Sequence, residues 1–497
     1  MQRFVPLVYQ LLSEVSTLTP DRVKDLQRAF AKEQRMQMLP SKSQILQAYL
    51  QLLAQGTIEK NADFENLLKK RAIRSLSGIV SVQVLTKPRP CPGQCIFCPN
   101  DPAMPKSYIK SEPGAMRAFL NQFDPIKQVR NRLQSLTLTG HQPEKIEMIV
   151  LGGSRDAYPE AYKTTFIKGL YDACSTFSAL KIASSPQEDK NSSLPPTSSL
   201  PAQKEAVKKY GFTILNEDQI QLSTTLEEAI ERNQTAKHRV IGLTIETRPD
   251  LVTHSHCQTW RQLGVTRVEM GLQSTDDEIL RLNKRGHTLQ QIREAMHLMR
   301  QYGFKISIHL MPGLYGSTVE KDMQTFREVF SDPYLKPDEL KVYPTSVIPG
   351  TELYRLWQAG EYQPITTQEI LQLIRTTFQE MIPPYTRIKR LIRDIPAPEI
   401  VAGSSITNLS QLAHETMLRE YQEALSSSHH YEGEPSRACG KPSKEEVIAF
   451  YHRLYENNEL ISTEIIGEKP DMNSYRHFVS LDTRSREVRN KVKGSEK

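Results

Sequence analysis

No stretch of the 497-residue chain carries the roughly 18 consecutive apolar residues that a membrane-spanning helix needs, so no transmembrane helix and no membrane partner are expected. Met1–Leu12 lacks a basic segment followed by a long apolar run and a small-residue cleavage site, so a secretory signal is not expected and the setting is read as cytoplasmic. Cysteine is scarce, and six in so long a chain do not make a disulfide framework. There is no internal repeat and no RNA-binding module with interleaved aromatics. Excess charge is small: +7 permits a polyanionic partner without demanding one. The length exceeds one ordinary domain, so a large catalytic domain with smaller flanking parts is expected.

Helical spacing dominates residues 1–78, as in Asp21–Gln37 and Ser41–Leu53, with Pro20 and Pro40 as punctuation and Ser41 followed by Gln44 resembling a capping box. From Ile79 short apolar runs alternate with helical stretches. The runs are Val80–Leu85, Ile146–Leu151, Val240–Ile245, Arg267–Met270, Lys305–Leu310 and Leu340–Tyr343; the helices include Tyr158–Phe177, His254–Leu263, Leu289–Tyr302 and Glu320–Phe330. Such alternation predicts βαβ units around a parallel sheet, and six units, fewer than a closed barrel's, predict an incomplete α/β barrel, (βα)6. The core is expected over 79–400, with a Ser/Pro-rich polar insertion at 184–201 and a C-terminal extension at 401–497 that holds a second polar stretch (426–442) and a helix over Lys444–Asn457.

Three of the six cysteines, Cys91, Cys95 and Cys98, fall within eight residues as C-x3-C-x2-C, directly after a predicted strand. Thiolates hold iron–sulfur clusters, and three thiolates leave one iron of a [4Fe–4S] cubane open to a reactant. The competing reading is a zinc knuckle, but no second C-x2-C pair exists, and His141, His254 and His256 are too scattered to complete one. The spacing, with Phe97 between the second and third cysteines, resembles the radical S-adenosylmethionine (SAM) superfamily. That resemblance implies that the open iron binds SAM and cleaves it to a 5′-deoxyadenosyl radical. It also implies that Gly152 and Gly153, at the end of a predicted strand, contact SAM.

Longer strings are more specific. Ser111–Arg117, Phe123–Pro125, Gly242–Asp250, Thr266–Ser274, Asn283–Thr288, Lys341–Thr345 and Arg393–Pro398, in this order, resemble the catalytic subunit of Elongator and its bacterial and archaeal relatives from about residue 75 to about 415. The resemblance implies carboxymethylation of the wobble uridine of tRNA at C5. Acetyl-CoA would be the carbon donor, an electron donor would reduce the cluster, and 1–78 would be a tRNA-binding region. The chain stops at Lys497, soon after Thr483–Val488, which resembles the segment before the family's acetyltransferase domain but lacks its cysteines. The expectation is therefore that this domain is lost, is supplied by a partner such as an Elongator-like subunit, or is replaced through a different donor. Two other functions compete: a radical SAM enzyme for a small molecule, and a non-catalytic cluster-containing tRNA-binding or assembly subunit.

Candidate site residues follow from strand ends, where parallel α/β folds place their chemistry. Glu246, Gln273 and Met311 are read as SAM contacts; for Glu246 with Arg248 the alternative is an ion pair capping the barrel, and for Gln273 a turn role. Lys341 and Tyr343 alternate onto one strand face and are read with the cysteines as catalytic, against a packing role. The basic string Arg387, Lys389, Arg390 and Arg393 is read as a tRNA-binding strip; the alternative is a solvated amphipathic element. Lys69, Lys70, Arg71 and Arg74 pose the same choice. His287 and His309 are read as structural.

Overall fold

The computed structural model describes residues 2–153, 157–177 and 221–404, with isolated residues as far as 419. The chain divides into two units, Met1–Glu459 and Leu460–Lys497, and all described residues belong to the first. The insertion at 184–201, the stretch at 426–442, the helix at Lys444–Asn457 and the Thr483–Val488 segment lie outside the described residues. No helix among those described is long and apolar enough to cross a membrane.

Four helices open the chain: α1 (Val5–Ser13), α2 (Pro20–Glu33), α3 (Lys42–Ala54) and α4 (Ala62–Leu68). The capping box at Ser41 and Gln44 starts α3, and Thr19 and Asn61 cap α2 and α4. Their apolar stripes meet in a core of their own, in which Leu7, Leu11, Ile45, Tyr49 and Phe64 are fully buried. Hydrogen bonds just after α4 help tie this helical core to the rest of the fold. Lys70 N–H donates to Thr139 O (3.0 Å), and the His141 ring bridges Ser75 Oγ (2.7 Å) and Lys70 O (3.0 Å).

Seven parallel strands then form a curled half-barrel: β1 (Ile79–Leu85), β2 (Lys145–Leu151), β3 (Arg239–Thr247), β4 (Arg267–Gln273), β5 (Lys305–Leu310), β6 (Glu339–Val342) and β7 (Arg387–Arg390). Spatial order equals chain order, so β1 and β7 are the two edges of the sheet. Helices α5 (Pro113–Leu120), α6 (Pro125–Leu138), α7 (Glu160–Ser175), α8 (Leu226–Gln234), α9 (His254–Gln262), α10 (Asp277–Leu282), α11 (Leu289–Gln301), α12 (Val319–Ser331), α13 (Glu352–Gln358) and α14 (Thr367–Glu380) connect them. Seven strands replace the six expected. The extra one, β7, holds three of the four residues of the basic string: it has four residues, of which only Ile388 is buried, too short and too charged to read as a strand.

The period-2 alternation of strands explains the layering. Val82, Val84, Met148, Val150, Leu243, Ile245, Val268, Met270, Ile306, Ile308, Leu340 and Val342 alternate onto one face and are 0–1 % exposed. The other face is polar: Ser81, Gln83, Glu147, Glu246, Arg267, Glu269, His309, Lys341 and Lys389 line the hollow of the half-barrel. An open sheet can carry charge there because the hollow is a cavity of about 1210 Å³ rather than a packed interior.

Candidate active site

The segment after β1 brings the cysteines to the C-terminal mouth of the sheet. Ile96 N–H donates to Asn283 O (3.3 Å) and Leu353 N–H to Ile96 O (2.9 Å). Phe97 packs in an apolar cluster with Ile279, Leu314, Val347, Leu353 and Tyr362. Its aromatic ring thus anchors the loop from which Cys91, Cys95 and Cys98 line the cavity.

Two guanidinium groups attend Cys95: Arg285 Nη1 lies 3.2 Å and Arg248 Nη1 3.8 Å from its Sγ. Arg248 is held by Asp250 (2.9 and 3.2 Å) and by Arg285 O. Gly93 makes room for it, since a Cβ there would stand 2.2 Å from Arg248 Nη1. The hydrogen bond from Cys98, together with Arg285 and Arg248, outweighs burial and pulls the Cys95 thiol down to about 4, so it is a thiolate at neutral pH. Burial and the two arginines push His287 to about 3 and keep it neutral, in keeping with a structural role.

The donor set fits a thiolate-ligated iron–sulfur cluster. Three soft sulfurs face one cavity beside fixed positive charge, and His287, the histidine whose charge the two arginines oppose, is not among the lining residues. Among the described residues the remaining cysteines, Cys174 in α7 and Cys257 in α9, are fully buried and do not line the cavity.

Gly153 lines the same cavity with φ +80, whereas Gly152 does not. Gly152 (φ +136) is backed against Thr86, whose Oγ1 would lie 1.9 Å from a Cβ there, so this position tolerates only glycine. Gln273 ends β4 at φ 74, an uncommon conformation for a residue with a side chain, and its Oε1 is buried without a hydrogen-bond partner. Gln273 therefore brings a positive φ and an unpartnered amide oxygen to the cavity wall. Met311 lies next to it, its N–H donating to Gln273 O (3.0 Å).

Deeper in the hollow lies a charge network. Glu269, fully buried, accepts from Lys341 Nζ; Lys389 Nζ reaches Glu339 (3.2 Å), Glu147 (3.4 Å) and Glu269 (3.6 Å); Arg267 pairs with Glu147 and with Glu339 (3.0 Å). Burial acts to raise the Glu269 carboxyl, but Lys341, His309 and Lys389 hold it well below the usual range. Burial and Lys341 pull His309 down to about 4. Its ring stands against Tyr343 with centroids 5.4 Å apart. Lys341 and Tyr343 therefore do share one face, as alternation predicts, and both line the cavity.

Glu246 sits beside Glu269 in the β3–β4 register and accepts from Tyr108 Oη (2.9 Å). Burial and the Glu269 charge push it up to about 7. The folded state thus holds this proton more tightly than the unfolded chain, whose value is 4.5, and its contribution to stability is lost as pH rises from about 4.5 through 7. Allowing for partial exposure, the loss is about 2 kcal/mol. Glu246→Gln is expected to raise the thermal midpoint relative to wild type at pH 8 and to change it little at pH 5. A midpoint difference that stays constant across that range would refute the assignment.

The basic string divides. Arg387 is exposed, and Arg390 is half-buried and paired with Asp394 (3.3 Å). Lys389 points into the carboxylates of the hollow. Arg393 clasps Glu112 (2.8 Å) and Ser107 Oγ (3.0 Å) and lies over the Tyr108 ring. A solvated strip is therefore not what the fold makes of these residues: two of the four are structural cations facing inward. Sequence reasoning overlooked Tyr108, Glu112, Glu269 and Arg285. Glu112, Glu269 and Arg285 fall within the strings that carry the family resemblance; nothing local distinguishes Tyr108.

Residues 202–329 match the family model described as the radical SAM superfamily, and residues 337–419 match the radical SAM C-terminal domain. The chain is 35% identical over 424 residues to the tRNA uridine(34) acetyltransferase of Methanocaldococcus infernus, covering 84% of this chain and 70% of that one. It is 36% identical over 384 residues to the protein of the same name from Methanocaldococcus jannaschii (76% and 61%), and 35% identical over 357 residues to Elongator complex protein 3 of Homo sapiens (70% and 57%). Among solved structures, the archaeal Elp3 of Methanocaldococcus infernus lacking its residues 1–46 superposes with a TM-score of 0.53 at 33% identity, covering 69% of this chain and 63% of that one. The chain thus spans between 57% and 70% of the length of the relatives named here.

Proposed function

The chain belongs to the radical SAM family of the tRNA uridine(34) acetyltransferases and Elongator complex protein 3, and on that premise we propose that it is a radical SAM enzyme acting on uridine 34 of tRNA. The reaction we assign is attachment of a carboxymethyl group at C5, with acetyl-CoA as carbon donor. The observation that carries this reading is the convergence of three thiols and a polar half-barrel hollow on one cavity large enough for a nucleoside beside a cofactor.

Cys91, Cys95 and Cys98 would hold a [4Fe–4S] cluster. When bound, such a cluster would supply the one-electron reduction that radical SAM chemistry needs to cleave SAM. The protein's part is to bind, orient and exclude water. Arg285 and Arg248 keep Cys95 ionised and fixed. Gly153 lets a ligand approach the backbone, and the unsatisfied Gln273 amide, Met311 and Glu246 surround it as SAM contacts. Lys341 is oriented by Glu269, and Tyr343 by His309, so that both present polar atoms to the substrate base. Arg387, exposed at the β7 edge, is the member of the basic string we assign to RNA contact. An electron donor completes the proposed set.

Anaerobically reconstituted protein is expected to release 5′-deoxyadenosine from SAM, and to do so faster when tRNA and acetyl-CoA are both present. Stimulation by small metabolites but not by tRNA would replace this reading with a small-molecule radical enzyme. A fully loaded cluster that never cleaves SAM would instead mark an assembly subunit.

A further inference from the structure

Charge is balanced through most of the hollow but not on its β1 side. Glu147, Glu269 and Glu339 have Arg267, Lys341 and Lys389, and Glu112 has Arg393. Three more guanidinium groups line the same cavity: Arg74, just ahead of β1, Arg117 in α5 and Arg132 in α6. Among the described residues none of the three side chains has an ion pair or hydrogen bond, and Arg132 Nε is fully shielded from solvent without a partner.

They lie close enough to act on one another. Burial, then Arg117 and Arg74, draws Arg132 down to about 9; burial, then Arg74, lowers Arg117; burial and Arg71 lower Arg74. The carboxylate that acts on Arg74 is Asp394, which is engaged with Arg390. A guanidinium does not escape such repulsion by losing its proton. Relief has to come from an anion. One carboxylate fills one bidentate fork, whereas a phosphate offers oxygens to several guanidinium groups at once.

We propose that Arg74, Arg117 and Arg132 form a phosphate-binding site in the cavity wall at the β1 edge of the half-barrel. Arg74 precedes the start of β1, while the thiols follow its end, so a ligand reaching both is an extended one. A phosphodiester of an RNA strand has that form; the phosphate of coenzyme A is the other source of the same chemistry. The choice of RNA rests on the tRNA reading above, but the phosphate site does not.

The test uses cluster-loaded full-length protein carrying Arg117→Gln and Arg132→Gln, with Arg132→Lys as the conservative variant. Binding of a labelled anticodon stem–loop is followed by anisotropy across a salt series, binding of coenzyme A by calorimetry, and thermal midpoints with and without millimolar inorganic phosphate. The double variant is expected to bind the RNA about tenfold more weakly, with a log K against log salt slope shallower by about 0.7 to 0.9. Phosphate is expected to raise the wild-type midpoint but not the variant's, and the unliganded variant is expected to melt no lower than wild type, because like charge has been removed. Arg132→Lys should keep most of the affinity. Unchanged RNA binding with weakened coenzyme A binding would keep the site and assign its phosphate to a nucleotide cofactor. Wild-type protein that binds no RNA would sink the tRNA reading and leave the phosphate and coenzyme A arms to judge the site. A lower variant midpoint with every ligand response intact would overturn the proposal and make the arginines structural.

Discussion

Cys95→Ala protein is expected to retain no SAM cleavage above background and to lose most of its iron after anaerobic reconstitution. Cys95 is the one of the three cysteines that is buried as a whole residue and the one ionised by its surroundings, since Cys98 donates to it and Arg285 and Arg248 stand within 3.2 and 3.8 Å of its sulfur. Alanine removes a ligand and also leaves two guanidinium groups without their sulfur acceptor. An unmatched buried donor costs roughly 1–3 kcal/mol, so a fall in the apo-protein's midpoint should accompany the loss of iron. Cys174→Ala is the control, because Cys174 is buried inside α7 away from the cavity and should leave both readouts near wild type. Iron retained at wild-type level in the Cys95 variant would remove the trio as the cluster site.

The largest effect on stability is expected at Glu269. Its carboxylate is fully buried and faces Lys341, Lys389 and His309. Glu269→Ala leaves Lys341 without its carboxylate, and breaking one side of a buried pair costs about 3–5 kcal/mol. That should appear as a lower urea midpoint at unchanged slope. Glu269→Met combined with Lys341→Met should recover much of the loss, because the penalty comes from the orphaned charge rather than from the missing pair. Should the single and double variants prove equally unstable, the network would matter through packing alone. The double variant is also expected to lose substrate turnover, which separates folding from the role proposed for Lys341.

How far these features can be read from residues alone depends on the range of the forces involved. The first six strands are visible because alternation and β-branched runs are local, and the capping box at Ser41 and Gln44 is a four-residue signal. The cysteine trio is legible for the same reason: Cys91, Cys95 and Cys98 fall within eight residues. What escaped is long-range. Strand β7 looks like a solvated basic strip until β6 lies beside it and Glu147, Glu269 and Glu339 are seen facing Lys389. Arg393 reads as a tRNA contact until Glu112, 281 positions earlier, is found within 2.8 Å of it. Gly152 and Gly153 look equivalent in sequence, yet Thr86 fills the space behind one and the cavity opens beside the other. The groups proposed to bear chemistry are thus more legible in sequence than the counter-charges around them.

The strand order has a consequence for how the molecule is made. Because each strand neighbours the one synthesised before it, a nascent chain emerging from the ribosome can add every βα unit to an edge that already exists, and no strand waits for a distant partner. Electrostatic completion follows a different timetable. The carboxylates of Glu147, Glu269 and Glu339 are all translated before Lys389, so translation must reach β7 before these three acquire the cation they share.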